Sequence, residues 1–343
     1  MKRVFLLLLG ILFFLQEAPL FAQQSTRWHG YLQGRYENDF TGAHGFSIRR
    51  AKIWINGGVP ESQKWTYKVQ AIFRWQQKGA FVLQDVYGEF HWRKFSLRVG
   101  QMVPAFSLQR YQPDYKIPLI ERAQVVNALI PAAETGARDI GLQFHLRIFR
   151  NRWDLYGGIF NGEGGNRAGN GDGQFLYTQR HIWHIINRRL FHLQLGASLA
   201  YRNVSGMYFK KIVGSTTPVT GRDFRYGVDG LLRYHALQFQ GEYIQARLSH
   251  ITAEGYYLLA SVNLSPVHQW SFSVEKYRDA IASTSDNPWF ILGYNYRFHQ
   301  DNAKLMVDTR FQKVKTQWNS QFTIQLQLFF NEQNKEKQND SSK

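Results

Sequence analysis

Residues 321–330 place Phe322, Ile324, Leu326, Leu328 and Phe330 on one side of the chain and Gln321, Thr323, Gln325, Gln327 and Phe329 on the other. A period of two with one greasy and one mostly polar face describes a β-strand at a boundary between oil and water. The same period recurs along nearly the whole chain. A sheet with one face in lipid has no water to satisfy its edges, so it has to close on itself. The pattern therefore predicts an all-β fold, a transmembrane antiparallel barrel.

The N-terminus fits export. Lys2 and Arg3 precede an apolar run over residues 4–15, and a short segment then ends in the small residue Ala22. This is the layout of a secretory signal peptide over residues 1–22. Beyond residue 15 no stretch approaches the roughly 20 apolar residues of a membrane helix. The mean hydropathy of −0.40 does not argue against a membrane barrel, because only alternate residues of each strand face lipid. There is no cysteine, which removes disulfides, thiolate nucleophiles and sulfur-ligated metals together.

Alternation marks strands at residues 27–37, 46–56, 64–74, 82–92, 95–101, 139–148, 152–160, 191–202, 224–234, 237–247, 255–264, 269–277, 289–298, 303–311 and 320–330, with a weaker one at 176–186. That makes about sixteen, an even number as such barrels require. The gaps alternate too. Those at 93–94, 149–151, 187–190, 235–236, 265–268 and 299–302 are short and read as periplasmic turns. Those at 102–138, 161–175, 203–223, 248–254 and 278–288 are longer and read as external loops. Trp28, Trp65, Trp92, Trp153, Trp270, Trp289 and Phe330 fall near strand ends, where aromatic girdles belong. The barrel domain thus spans residues 23–330, and residues 331–343 read as a polar, disordered tail.

Several short motifs carry a family resemblance. They are Phe46-Ser47-Ile48-Arg49-Arg50-Ala51-Lys52, Leu83-Gln84-Asp85-Val86-Tyr87, and the run from Val99 and Gly100 through Pro104 to Ser107. Ile120-Glu121-Arg122, Arg138-Asp139-Ile140-Gly141 and Gly158-Ile159-Phe160-Asn161-Gly162 follow in order. Over this first half the chain resembles the phosphate-selective porins O and P. The resemblance implies a sixteen-stranded, trimeric outer-membrane channel of a Gram-negative bacterium, in which the long loop at 102–138 folds inward and narrows the lumen. It also implies phosphate among the anions carried. One departure is the tail after Phe330, since barrels of this class normally end on the aromatic residue that the assembly machinery reads.

If the apolar faces meet lipid, the opposite residues line the lumen. Arg35, Arg50, Lys52, Lys68, Arg98, Arg225 and Arg233 are then the candidate anion-contacting residues of the wall, with Arg110 and Lys116 on the loop. Glu121, Arg122, Arg138 and Asp139 are candidates for the ion pairs that hold that loop. Glu37, Asp85, Glu89, Asp154, Asp229, Glu242, Glu275 and Asp308 face the same way, so many charges can pair. The formal charge of +17 adds weight to an anion preference. Part of it lies elsewhere, because Arg93, Lys94, Arg150, Arg152, Arg188 and Arg189 fall in short turns, where they meet lipid headgroups or solvate a rim.

Other chemistries have little support. His181 and His184 would point to opposite faces of a strand and so form no metal pair. The Gly- and Asn-rich stretch at 161–173 lacks the carboxylate spacing of a calcium loop. No nucleophile elbow or P-loop is intact, so no enzyme, cofactor or metal is expected. Export and the scattering of basic residues argue against nucleic acid. The expectation is an outer-membrane porin for small anions, with outer-membrane lipid and lipopolysaccharide as surroundings. The alternatives are a general or oligosaccharide-type porin, a non-conducting surface adhesin or a membrane-embedded hydrolase.

Overall fold

A computed structural model describes residues 26–74, 79–281, 286–299 and 301–331. The expected signal peptide and all but the first residue of the expected tail lie outside the described residues. Sixteen strands form one closed antiparallel barrel in which every strand pairs with its sequence neighbours. They are β1 Arg27–Asn38, β2 His44–Gly58, β3 Trp65–Arg74, β4 Ala80–Trp92, β5 Phe95–Met102, β6 Asp139–Ile148, β7 Trp153–Phe160 and β8 Leu176–Asn187. The second half has β9 Phe191–Tyr208, β10 Pro218–Tyr234, β11 Leu237–Leu248, β12 Ile251–Asn263, β13 His268–Arg278, β14 Trp289–Arg297, β15 Ala303–Val314 and β16 Gln317–Asn331.

Closure is made by β1 against β16, with Gly30 opposite Phe330 and Arg35 opposite Gln325. Gly30 leaves room for the Phe330 ring, which a Cβ would meet at 2.4 Å. The lipid face carries the greasy half of the alternation. Leu326, Leu328 and Phe330 are exposed there, while Thr323, Gln325 and Gln327 are buried toward the lumen. Burial is thus inverted relative to a soluble protein, as a lipid solvent demands.

Two connections differ from the sequence reading. Those between β11 and β12 and between β15 and β16 are two-residue turns, Ser249-His250 and Lys315-Thr316, because the strands run further than alternation marks them. Likewise β9 extends to Tyr208 and β10 begins at Pro218. Beyond the hydrocarbon layer both faces of a hairpin meet polar surroundings, so the apolar period fades while backbone pairing continues.

The connection from β5 to β6 enters the barrel. It carries α1 Leu108–Tyr111, a 3-10 turn Asp114–Lys116, α2 Gln124–Leu129 and a second 3-10 turn Ala133–Thr135. Its Phe106, Leu119, Val125, Val126 and Leu129 pack against Ile244, Ala246, Ala253, Tyr257, Leu259 and Ile291 of the far wall. A short α3, Lys210–Val213, in the β9–β10 connection adds Ile212. Burying Val125, Val126 and Leu129 fully contributes roughly 1.5–3 kcal/mol each. The apolar core of this protein therefore lies inside the barrel, between loop and wall. Gly293 permits the close approach, since a Cβ there would meet Leu119 Cδ2 at 2.6 Å.

Candidate functional site

The loop's backbone is fastened to the wall by carboxylates. Glu242 of β11 accepts from the N–H groups of Leu108 (3.1 Å) and Gln109 (2.5 Å) at the start of α1, and from the Tyr257 hydroxyl (2.9 Å). Asp308 of β15 accepts from Ile120 N (2.8 Å), and Glu275 of β13 from Gln124 N (3.0 Å) at the start of α2. Lys304 Nζ and Gln327 Nε2 donate to the Tyr115 carbonyl, and Asn295 Nδ2 to the Pro118 carbonyl. A buried amide left without its acceptor costs about 1–3 kcal/mol, so these three carboxyl groups hold the loop firmly.

The near wall, β1 to β5, is basic, and two cavities lie between it and the loop. An outer cavity of about 260 Å³ and an inner one of about 300 Å³ share five lining residues, Lys52, Arg110, Asp114, Arg122 and Arg138. These five form the partition between the two chambers. Four are cations and one is an anion. Lys52 and Arg122 both pair with Asp114, and Arg122 Nε donates to the Gln109 carbonyl at 3.0 Å. Arg138 Nε lies 3.0 Å from Asp85 Oδ1, and Lys68 Nζ lies 2.8 Å from the other oxygen of that carboxylate.

Arg110 differs from the others. Its Nη2 donates to the Gly136 carbonyl at 3.1 Å, its Nε is buried without a partner, and it makes no ion pair among the described residues. Burial, together with the like charges of Arg138 and Arg50, weighs against its charged form and lowers its pKa well below the usual value. A guanidinium keeps its proton at neutral pH nonetheless.

The other expected residues divide by position. Arg50 lines the outer chamber, and Lys68 and Arg98 the inner one, Arg98 lying 2.9 Å from Glu89 and over the Tyr87 ring. Arg35 is buried and bonded to Glu37, Glu121 and Gln325. Glu121 gathers Arg35, Arg49 and Arg50. Burial would raise its pKa, yet these guanidinium groups hold it well below the usual carboxylate range. Glu121 thus ties the loop to β1 and β2.

Four expected residues stand apart from the partition. Lys116 is exposed over the Tyr115 ring and lines neither chamber, because the 3-10 turn points it away from the partition. Arg225 is buried, held by Asp223 at 2.7 Å and donating to the Leu129 and Ile130 carbonyls, so it closes the end of α2. Arg233 is exposed near the short-turn end of β10, bonded to Gln238. Asp139 accepts backbone N–H bonds from Ile140 and Gly162 where an ion pair was expected. His181 and His184 do diverge, His181 accepting from Trp153 and His184 meeting Asp154 at 2.8 Å.

A family model for phosphate-selective porins O and P matches residues 29–331. The chain belongs to that family. It is an outer-membrane porin, and its fold recurs in solved porin structures. Salmonella typhi OmpF in complex with daunomycin has a TM-score of 0.65 at 11% identity, covering 90% of this chain and 98% of that one. An anion-selective porin from Comamonas acidovorans gives 0.63 at 11%, covering 90% and 100%. The trimer form of Vibrio cholerae OmpT gives 0.59 at 11%, covering 90% and 100%. No curated protein matches the sequence significantly. Sequence reasoning placed Glu242, Glu275 and Asp308 of this porin in the lumen as charges that can pair, but missed that they fasten the loop's backbone. Their only signal was an acidic residue at a lumen-facing position on alternate strands, β11, β13 and β15.

Proposed function

We propose that this porin prefers anions and passes small ones, phosphate among them, by passive diffusion. The observation that carries the reading is the partition, where Lys52, Arg110, Arg122 and Arg138 face a single Asp114. The far-wall carboxyl groups Glu242, Glu275 and Asp308 are buried under the loop and line neither chamber. Rings of Arg and Lys lower the entry barrier for anions, and the planar fork of Arg suits a phosphate oxygen pair. The anion selectivity named for the Comamonas porin supports the reading.

Residues 1–22 serve as the export signal, residues 23–330 as the barrel, and the host is Gram-negative. The trimer form named for OmpT of Vibrio cholerae supports a homotrimer, with outer-membrane lipid and lipopolysaccharide around it. Titrating phosphate against chloride current through single channels tests the assignment. Saturable block by phosphate is expected, abolished by Arg110→Gln. Block that survives that substitution unchanged would place the anion elsewhere.

A further inference from the structure

The arginines of two adjacent short turns take no part in the channel. Arg150 and Arg152 lie between β6 and β7, and Arg188 between β8 and β9. Together they line a cavity of about 450 Å³ whose apolar walls include Ile185 and Phe191. None of the three makes an ion pair among the described residues, whereas the buried lumen arginines Arg35, Arg122, Arg138, Arg180, Arg202 and Arg225 all do. The β6–β7 turn is tied to β8, the strand that leads into the other turn, by the N–H of His184 donating to the Arg152 carbonyl at 2.8 Å.

The β6–β7 turn holds Phe149, Arg150 and Asn151 in succession at φ of 49°, 56° and 66°. Three consecutive non-glycine residues in this disfavoured region present Arg150 at the rim and leave the Phe149 ring exposed. Phe149 stacks on Trp153 at 5.9 Å, and Trp153 on Trp183 at 6.4 Å. Ile185, Leu190 and Trp183 are exposed beside them on the lipid face. The cationic pocket adjoins this aromatic and aliphatic surface through Ile185, while His184, which meets Asp154 at 2.8 Å, lines its other side, at the rim that barrels of this kind turn to the periplasm.

We propose that this pocket binds the phosphate headgroup of an anionic phospholipid, with its acyl chains along Phe149, Trp153, Trp183 and Ile185. Guanidinium forks suit a phosphodiester, and the aromatic surface suits the top of the acyl region. The site commits to a lipid over a free anion because half of its walls are apolar and contiguous with the lipid face.

The test uses folded full-length protein reconstituted with equal phosphatidylglycerol and phosphatidylcholine, read by native mass spectrometry of retained lipid. Wild-type protein should retain phosphatidylglycerol preferentially. The variant Arg150→Gln/Arg152→Gln/Arg188→Gln should retain at least about tenfold less, given the favourable contribution of each basic residue near an anionic surface. Its conductance and heat-modifiable migration should stay as in wild type. Arg93→Gln/Lys94→Gln, an equally basic turn not lining this cavity, should retain lipid normally. Should the triple variant fail to assemble, Arg188→Gln alone should show a partial loss. Unchanged retention in the variants would overturn the site, as would an equal loss in Arg93→Gln/Lys94→Gln. Displacement of the lipid by an equal concentration of inorganic phosphate would assign the pocket to the free anion and overturn the lipid assignment.

Discussion

Replacing Arg110 with Gln should weaken anion preference while leaving the loop in place. Among the described residues Arg110 contributes one side-chain hydrogen bond to the loop, to the Gly136 carbonyl, and no ion pair. Gln keeps a donor for that carbonyl and orphans no carboxylate. Removing Arg122 or Arg138 would instead strip a partner from Asp114 or Asp85. The substitution lowers the formal charge of the five-residue partition from +3 to +2. For an ion about 5 Å away, one unit charge is worth roughly 0.8 kcal/mol in water and about 3 kcal/mol at an effective dielectric of about 20. The lower figure is about fourfold in anion occupancy, and the matching fall in the cation barrier adds about as much again to the anion/cation permeability ratio. Reversal potential under a potassium chloride gradient reads that ratio. The effect should be largest near 0.1 M salt, where screening reaches about 10 Å, and much smaller near 1 M, where it reaches about 3 Å. An unchanged ratio at low salt, with unchanged conductance, would refute the reasoning.

Further outcomes follow from the same geometry. Lys116→Gln should leave the permeability ratio near wild type, because Lys116 lines neither chamber; a shift as large as that of Arg110→Gln would contradict this placement. Glu275→Ala removes the acceptor of Gln124 N and the partner of Arg310, and should destabilise the loop's seat by about 1–3 kcal/mol, visible as noisier single-channel current and faster proteolysis within residues 103–138. Gly293→Val drives a side chain into Leu119 and should give larger, less selective conductance steps. The folded pKa of Glu121 lies below its ordinary value, so its stabilisation is complete above about pH 4.3 and is lost only as pH falls through the lower folded value. The Glu121 tie should therefore be whole at both about pH 7 and about pH 5, so Glu121→Gln should raise current noise above wild type at both values. A difference from wild type that has vanished by about pH 5 would show that Glu121 is not the tie.

The barrel was legible because period-two alternation is a local signal, repeated on every strand and tied to the lipid boundary. It faded where the physics fades. Val314 and Gln317 belong to strands whose outer ends leave the hydrocarbon, so their pairing leaves no apolar trace. The loop's position came from the family resemblance, and its fastening was illegible. Glu242 and Leu108 are 134 residues apart, and nothing local to either announces the hydrogen bond. Arg225 and Arg110 both read as basic residues of the lumen. Only folding separates them, one closing the end of α2 and the other left without an ion pair.

The central claim is that the partition around Arg110 makes this porin prefer anions. Reversal potential of the purified wild-type protein in a planar bilayer, under a potassium chloride gradient near 0.1 M, tests it most directly. Discrete conductance steps with a potential close to the chloride equilibrium value are predicted. A potential near zero, or one on the potassium side, would contradict the account.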